Sequence, residues 1–217
     1  MELPVWQMTC PQNFLICGSS GVGKSSFVEK ILSTPNIWAK QPEKIIYCYG
    51  IYSQTVQRIA KNLPYVTLME GIPRNLSTPL EIFSPRQTNV LICDDLSDVT
   101  QNSKDYTAFL MRGTNHSNCC LISIEHFLFA QSAQRRLQSP QYHQIVIYKN
   151  NRSYHQIGTL ARQISLSNPK LLQWAYLDAT SKPFGYLVID MRNETPDELR
   201  LMTNVLGEND SPPFIYL

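Results

Sequence analysis

The sequence predicts an α/β domain built on a mostly parallel sheet with helices on both faces, and three observations lead there. Short β-rich runs alternate with helix-like stretches along the chain. Most of the runs are apolar at consecutive positions rather than at every second one, the pattern of strands covered on both sides. A glycine-containing turn, Gly18 to Ser25, joins the first run to the first helical stretch. The chain has 217 residues, 43% of them hydrophobic, which suits one domain with a full core and excludes disorder by composition.

Taken in order, the first strand is expected over Asn13–Cys17, where Phe14-Leu15-Ile16-Cys17 is unbroken, and a helix over Lys24–Ser33. Ile45-Ile46-Tyr47-Cys48 marks a strand over Lys44–Tyr49, followed by a helix over Gln54–Asn62. Tyr65–Met69 and Asn89–Cys93 read as strands, the second through Leu91-Ile92-Cys93, and Lys104–Arg112 as a helix. Cys120-Leu121-Ile122 lies within a strand over Cys119–Ile124, and Gln144–Tyr148 forms the next. Helices are expected over Ser153–Ile164 and Pro169–Ala179, and a strand over Gly185–Ile189. A last helix is expected over Pro196–Val205. Thr195 stands as its N-cap, Pro196 at its first position, and Asp197 and Glu198 in its first turn. Residues 13–206 make the core of this single domain, and the acidic, proline-containing tail after Gly207 is expected to be loose.

Composition sets the compartment. No apolar run reaches the ~18 residues of a membrane span, and Met1-Glu2-Leu3-Pro4-Val5-Trp6 has neither the basic nor the apolar part of a secretory leader. None of the six cysteines, Cys10, Cys17, Cys48, Cys93, Cys119 and Cys120, forms a C-x-x-C pair. Four lie within or against apolar runs, as buried, reduced core residues of a protein in a reducing, intracellular compartment. Charged residues are only 17%, replaced in part by 15 Gln and 14 Asn, and the net charge is +2. That balance excludes a uniformly basic nucleic-acid binder, but it is unevenly distributed. Between residues 126 and 177 stand Arg135, Arg136, Lys149, Arg152, Arg162 and Lys170 with no acid, and residues 178–217 carry seven acids against three bases. A cationic segment of this kind suits an arginine finger, a DNA-phosphate surface, or a plain solvated face.

Gly18-Ser19-Ser20-Gly21-Val22-Gly23-Lys24-Ser25 matches G-x-x-x-x-G-K-[ST] at every fixed position, between a strand and a helix. Glycines let the backbone curl round phosphate oxygens with its N–H groups inward, and the helix N-terminus adds partial positive charge. Gly18 through Ser26 are therefore the expected nucleotide contacts. Lys24 reaches the β- and γ-phosphates of ATP, and Ser25 offers its hydroxyl to Mg²⁺. The strand over Asn89–Cys93 runs into Asp94-Asp95. A buried strand ending in a carboxylate calls for a cation or donors, so Asp94 is expected to hold Mg²⁺ with Ser25, directly or through water. Asp95 then orients or deprotonates the attacking water, or serves as an N-cap. The next strand ends in Glu125-His126. A polar residue there faces the γ-phosphate, where it senses that phosphate or holds the attacking water; a glutamate, Glu125, needs water or a basic partner in that place, unless it caps the following turn.

With these residues in place, the chain resembles the genome-packaging ATPases of double-jelly-roll DNA viruses and Polinton-type elements (adintoviruses among them). These are akin to the poxvirus packaging ATPase and belong to the FtsK–HerA group of P-loop NTPases, ASCE/RecA-like in fold. The resemblance runs from about Phe14 to Val205. It rests on the phosphate loop (Walker A), on Asp94-Asp95-Leu96 (Walker B), and on Arg112-Gly113-Thr114-Asn115-His116. It continues through Lys149-Asn150-x-Arg152, Leu160-Ala161-Arg162-Gln163-Ile164 and the block from Ala175 through Lys182-Pro183-Phe184-Gly185-Tyr186-Leu187, and ends at Asp190 and Thr195 to Leu201.

The resemblance implies a homo-oligomeric ring, a pentamer or hexamer, that couples Mg²⁺-dependent ATP hydrolysis to driving double-stranded DNA through a viral capsid vertex. DNA would be held by its phosphates without sequence reading, inside the host cell (nucleus or viral assembly site) or with the virion. It places a trans-acting arginine on Arg135 or Arg136, with Arg152 a further candidate, and counting back from Lys149-Asn150 favours Arg136. Where the family carries glutamine and asparagine, this chain has Glu125-His126. Two other readings fit the loop: a P-loop nucleotide kinase, and a weakly catalytic nucleotide-binding subunit.

Overall fold

The computed structural model describes residues 6–34, 36–129, 132–152, 154–164, 168–207 and 212–217. The strands are β1 (Gln12–Cys17), β2 (Lys44–Tyr49), β3 (Val66–Glu70), β4 (Asn89–Asp94), β5 (Cys119–Glu125), β6 (Gln144–Tyr148), β7 (Tyr186–Asp190), β8 (Leu201–Thr203) and β9 (Phe214–Ile215). Helices α1 (Lys24–Ser33), α2 (Gln54–Asn62), α3 (Ser97–Thr100) and α4 (Lys104–Ala108) come first. After α4 the chain makes a π turn over Phe109–Gly113 into α5 (Thr114–His116). α6 (Ala133–Gln138), α7 (Tyr154–Gln163) and α8 (Pro169–Ala179) follow. Ser153, expected to open α7, lies outside the described residues, as do Met1 to Val5 and residues 208–211 of the tail.

The strands form one sheet in the order β3-β2-β4-β5-β1-β6-β7-β8-β9. The pairings from β3 across to β6 are parallel, and β7, β8 and β9 add on antiparallel. Consecutive apolar residues face opposite sides, and each side has its own core. Phe14, Ile16, Tyr47, Val90, Ile92, Ile122 and Val146 pack with Phe27, Val28 and Ile31 of α1 and Val56 and Ile59 of α2. Leu15, Cys17, Leu91, Cys93, Leu121 and Ile145 pack with Tyr106 of α4, Leu160 of α7 and Leu172 and Ala175 of α8. Burying an aliphatic side chain of this size contributes roughly 1.5–3 kcal/mol, which explains why strands with no polar face are retained. All six cysteines are free, and all but Cys10 are buried. Burial pushes the Cys17 thiol up to about 12, against the weaker pull of Arg135 and Lys24.

Two expectations fail at the C-terminal end. The helix over Pro196–Val205 is absent: Pro196 is extended, Asp197–Leu199 makes a single 3-10 turn, and Leu201–Thr203 is strand β8. The start signals are real but local, and the open edge of β7 outweighs them. Leu201 pairs with Ile189, the Asp190 amide donates to the Arg200 carbonyl, and Thr203 Oγ1 donates to the Tyr186 carbonyl. Leaving those buried backbone groups of β7 without partners would cost more than a cap gains. The described end of the tail, residues 212–217, also returns to the sheet rather than staying loose. Phe214–Ile215 pairs with β8, and buried Tyr216 donates its hydroxyl to Asp178 Oδ2 at 2.7 Å. The helix expected over Lys104–Arg112 exists, but its second half is the π turn. Gly113 packs there so closely on the Phe109 ring that a Cβ would stand 2.5 Å from Cδ2.

Candidate active site

β4, β5 and β1 lie side by side, so Asp94-Asp95, Glu125-His126 and the loop from Gly18 all emerge at the C-terminal ends of parallel strands. That edge is where open α/β sheets hold ligands. The loop is tightly determined. Gly23 has φ 99°, a conformation strained for other residues, and begins α1. Gly18 passes so close to β6 that a Cβ there would stand 2.7 Å from Tyr148 Cβ.

Lys24 is buried, and its Nζ donates to the carbonyls of Gly18 (2.8 Å) and Ser19 (2.9 Å). Its ammonium thus lies inside the curl of the loop. Burial pushes its pKa below the usual lysine value, while the negative charge of Asp94, with Asp95 and Glu125 contributing less, pulls it back up. Ser25 hydrogen-bonds Asp94, the pair expected to hold a metal. Tyr47 donates its hydroxyl to Asp94 Oδ2 at 2.7 Å. Burial raises the Asp94 pKa, opposed by the hydrogen bonds from Tyr47 and Ser25 and by Lys24. A buried carboxylate beside a hydroxyl is a hard-oxygen donor set. Mg²⁺ needs only one or two such protein oxygens, taking the rest from water and phosphate, so the residues present fit that ion.

Asp95 differs from its neighbour. It is exposed, has φ 55°, and its Oδ1 lies 3.5 Å from His126 Nε2. The positive φ turns its side chain away from the direction set by the strand, and the carboxylate stands exposed at the mouth of the site with an imidazole beside it.

Glu125 has the basic partner its type demands, but it faces into the protein. Its carboxylate is buried and accepts from Ser97 Oγ, from Thr100 Oγ1 at 3.3 Å and from Gln101 Nε2 at 3.5 Å, all on or just after α3. Arg135 Nη1 lies 3.6 Å away. The same Arg135 nitrogen donates to Tyr142 Oη at 3.1 Å, and its guanidinium lies 5.5 Å from the centre of the Tyr142 ring. Tyr142 in turn donates to Ser123 Oγ, which also pairs with the Tyr106 hydroxyl. The tip of β5 is therefore tied through Glu125 to α3 and α6.

The two adjacent arginines separate cleanly. Arg135 is 1% exposed and committed to this cage, whereas Arg136 is exposed. Arg136 lines a cavity with Pro11, Gln12 and His143, at the end of β1 opposite the loop. It is placed away from its own chain's loop. Lys149, Arg152, Arg162 and Lys170 are exposed as well, so five of the six basic residues of the middle segment face outward.

Sequence reasoning did not find Tyr47, the α3 cage or Arg135 as the partner of Glu125. Tyr47 lies inside an apolar run, and only the pairing of β2 with β4 brings its hydroxyl to Asp94. Ser97, Thr100 and Gln101 follow Asp94-Asp95 closely, but nothing in the sequence says that this segment folds over β5.

Neither the known family models nor the sequences of curated proteins match the chain. Solved structures do resemble it. B204, the DNA-packaging ATPase from Sulfolobus turreted icosahedral virus, matches with a TM-score of 0.56 at 14% identity over 97% of this chain and 98% of its own. The genome-packaging NTPase B204 from Sulfolobus turreted icosahedral virus 2, in complex with ATP-gammaS, gives 0.52 at 14% identity over 95% and 97%. The cytoplasmic domain of the type VII secretion ATPase EccC from Thermomonospora curvata gives 0.52 at 14% identity over 84% of this chain and 24% of its own. The expected α/β fold, with its phosphate-loop strand inside a mostly parallel sheet, is thus the fold this chain adopts and shares over nearly its whole length with these ATPases.

Proposed function

We propose that the protein is an ATP-hydrolysing motor that drives double-stranded DNA into a preformed capsid. The observation that carries the reading is the convergence of Lys24, the Ser25–Asp94 pair and exposed Asp95 at one edge of the sheet. The whole-length likeness to packaging NTPases supports a packaging motor over a nucleotide kinase.

The backbone amides of residues 18–25 and the start of α1 bind the phosphates of ATP. Lys24 exchanges its carbonyl partners for β- and γ-phosphate oxygens and neutralises charge that grows there as the bond breaks. Ser25 and Asp94 would hold Mg²⁺, which would supply further neutralisation of the phosphates. Asp95 orients the attacking water and takes its proton, with His126 keeping the carboxylate in place. Glu125 acts from below by holding α3 and α6 to the tip of β5. Arg136, exposed and distant from its own loop, is the arginine free to complete a neighbouring subunit's site in a ring. The exposed basic residues between 149 and 170 suit contact with DNA phosphates without base reading.

A second reading, a nucleotide-binding subunit with weak turnover, draws on the inward orientation of Glu125. Turnover by the wild type separates the two. Lys24→Ala tests the loop itself: it should abolish ATP hydrolysis, and normal turnover in that variant removes the proposal.

A further inference from the structure

Beside the loop, the turn from α8 to β7 holds an aromatic ring that the fold does not explain. Phe184 is 65% exposed and has φ 62°. A bulky residue is unfavourable in that left-handed region, where glycine or asparagine would sit more easily. Its ring gains little from burial, so neither packing nor backbone preference accounts for a phenylalanine here. Strain of this kind, kept at an exposed position, points to a ligand.

The surroundings say which part of a ligand. Phe184 Cδ1 lies only 3.2 Å from where a Cβ on Gly23 would stand, so the ring borders the phosphate loop directly. A cavity of about 380 Å³ opens between the ring and the first turns of α1. Its lining is Gly23, Ser26, Phe27 and Lys30 on one side and Tyr148, Pro183 and Phe184 on the other. That volume falls within the ~300–1,000 Å³ of small-molecule sites. The cavity lining includes Gly23 and Ser26, on either side of Lys24 and the Ser25 that pairs with Asp94. The γ-phosphate end of a bound nucleotide lies toward Asp94 and Asp95, in β4 and just beyond it. A nucleotide with its γ-phosphate at that side would extend its opposite end across β1 toward β6 and the turn before β7, where Tyr148 and Phe184 stand. We propose that Phe184, backed by Pro183, is the stacking platform for the purine ring of the nucleoside triphosphate.

This assignment rests on the phosphate-loop reading, and its test separates the two. The probes are Mg²⁺-ATP and Mg²⁺-tripolyphosphate, the latter having the phosphates without the base. Binding of both is measured to the full chain carrying F184G and F184W, alongside melting temperature and native mass. By alanine substitution, a stacked base contributes enough that its loss is on the order of 5- to 150-fold in affinity. F184G should weaken ATP by that factor and leave tripolyphosphate binding and native mass unchanged. Its melting temperature should hold or rise, because glycine accepts φ 62° without strain. F184W should restore ATP binding. Unchanged ATP affinity in F184G overturns the base site, as does a parallel loss of tripolyphosphate, of thermal stability or of assembled mass. If the wild type binds neither probe, it is the phosphate-loop reading that falls.

Discussion

Arg135 and Glu125 offer the most quantitative test of how the site is built. The two side chains are 1% and 2% exposed, with 3.6 Å between Nη1 and Oε1. At an effective dielectric of about 20, opposite charges at that separation attract by on the order of 4–5 kcal/mol. The attraction is offset by the desolvation of both ions. Arg135→Met removes the cation and leaves a buried carboxylate with only neutral donors, Ser97, Thr100 and Gln101. The expected loss of stability is about 3–5 kcal/mol. Glu125→Gln leaves Arg135 with Tyr142 and Gln138 for company, and also costs stability. The double variant buries no unpaired charge, so it should be much more stable than the sum of the single effects implies. Urea unfolding of all four proteins at neutral pH gives the coupling directly, with about 2–4 kcal/mol expected. Additive single effects, with coupling under about 0.5 kcal/mol, refute the reasoning that Arg135 is there to balance Glu125.

Three further outcomes follow from the site. Asp95→Asn should leave ATP binding nearly intact while hydrolysis falls by two or more orders of magnitude (about 10²–10⁴ for a lost general base); equal loss of binding and turnover would give Asp95 a structural role. Asp94→Asn should remove metal-dependent turnover without loss of stability. Burial holds the Asp94 pKa above its unfolded value, so the native state binds the extra proton and stability falls as pH rises from the unfolded towards the folded pKa. Above both, that contribution is gone. The variant should lack the fall, and a melting point lowered by more than about 3 °C at neutral pH, near 1 kcal/mol, contradicts this. Mixing Arg136→Ala subunits with Lys24→Ala subunits should recover part of the ATPase activity that each lacks alone, and silence at every ratio counts against an arginine acting in trans.

Much of this molecule was legible before its structure. β2, β6, α1, α2 and α8 have the bounds the sequence predicts, because continuous apolar runs and clear breaks leave few alternatives. The phosphate loop is legible for a different reason, residue types at fixed spacing, and Asp94 is legible as a carboxylate that ends a buried apolar strand. What failed was governed by distant partners. The Thr195–Glu198 start signals lost to the edge of β7, and the end of the tail is recruited through Tyr216 and Asp178, 38 residues apart. The sequence puts Glu125 at the tip of its strand, where it lies, but whether its carboxylate points at a phosphate or at α3 depends on how residues 97–101 fold back. The +2 net charge likewise concealed a division that the fold makes plain: Arg135 is interior, and the other five basic residues of the middle segment are on the surface.

The central claim is a DNA-coupled motor with its hydrolytic site at the loop. Its most direct test is the rate of ATP hydrolysis with and without double-stranded DNA, on wild-type and Lys24→Ala protein of measured native mass. A ring whose Lys24-dependent turnover rises on adding DNA of any sequence, and rises less as salt increases, is the predicted result. Turnover by a monomer, indifferent to DNA, would contradict it.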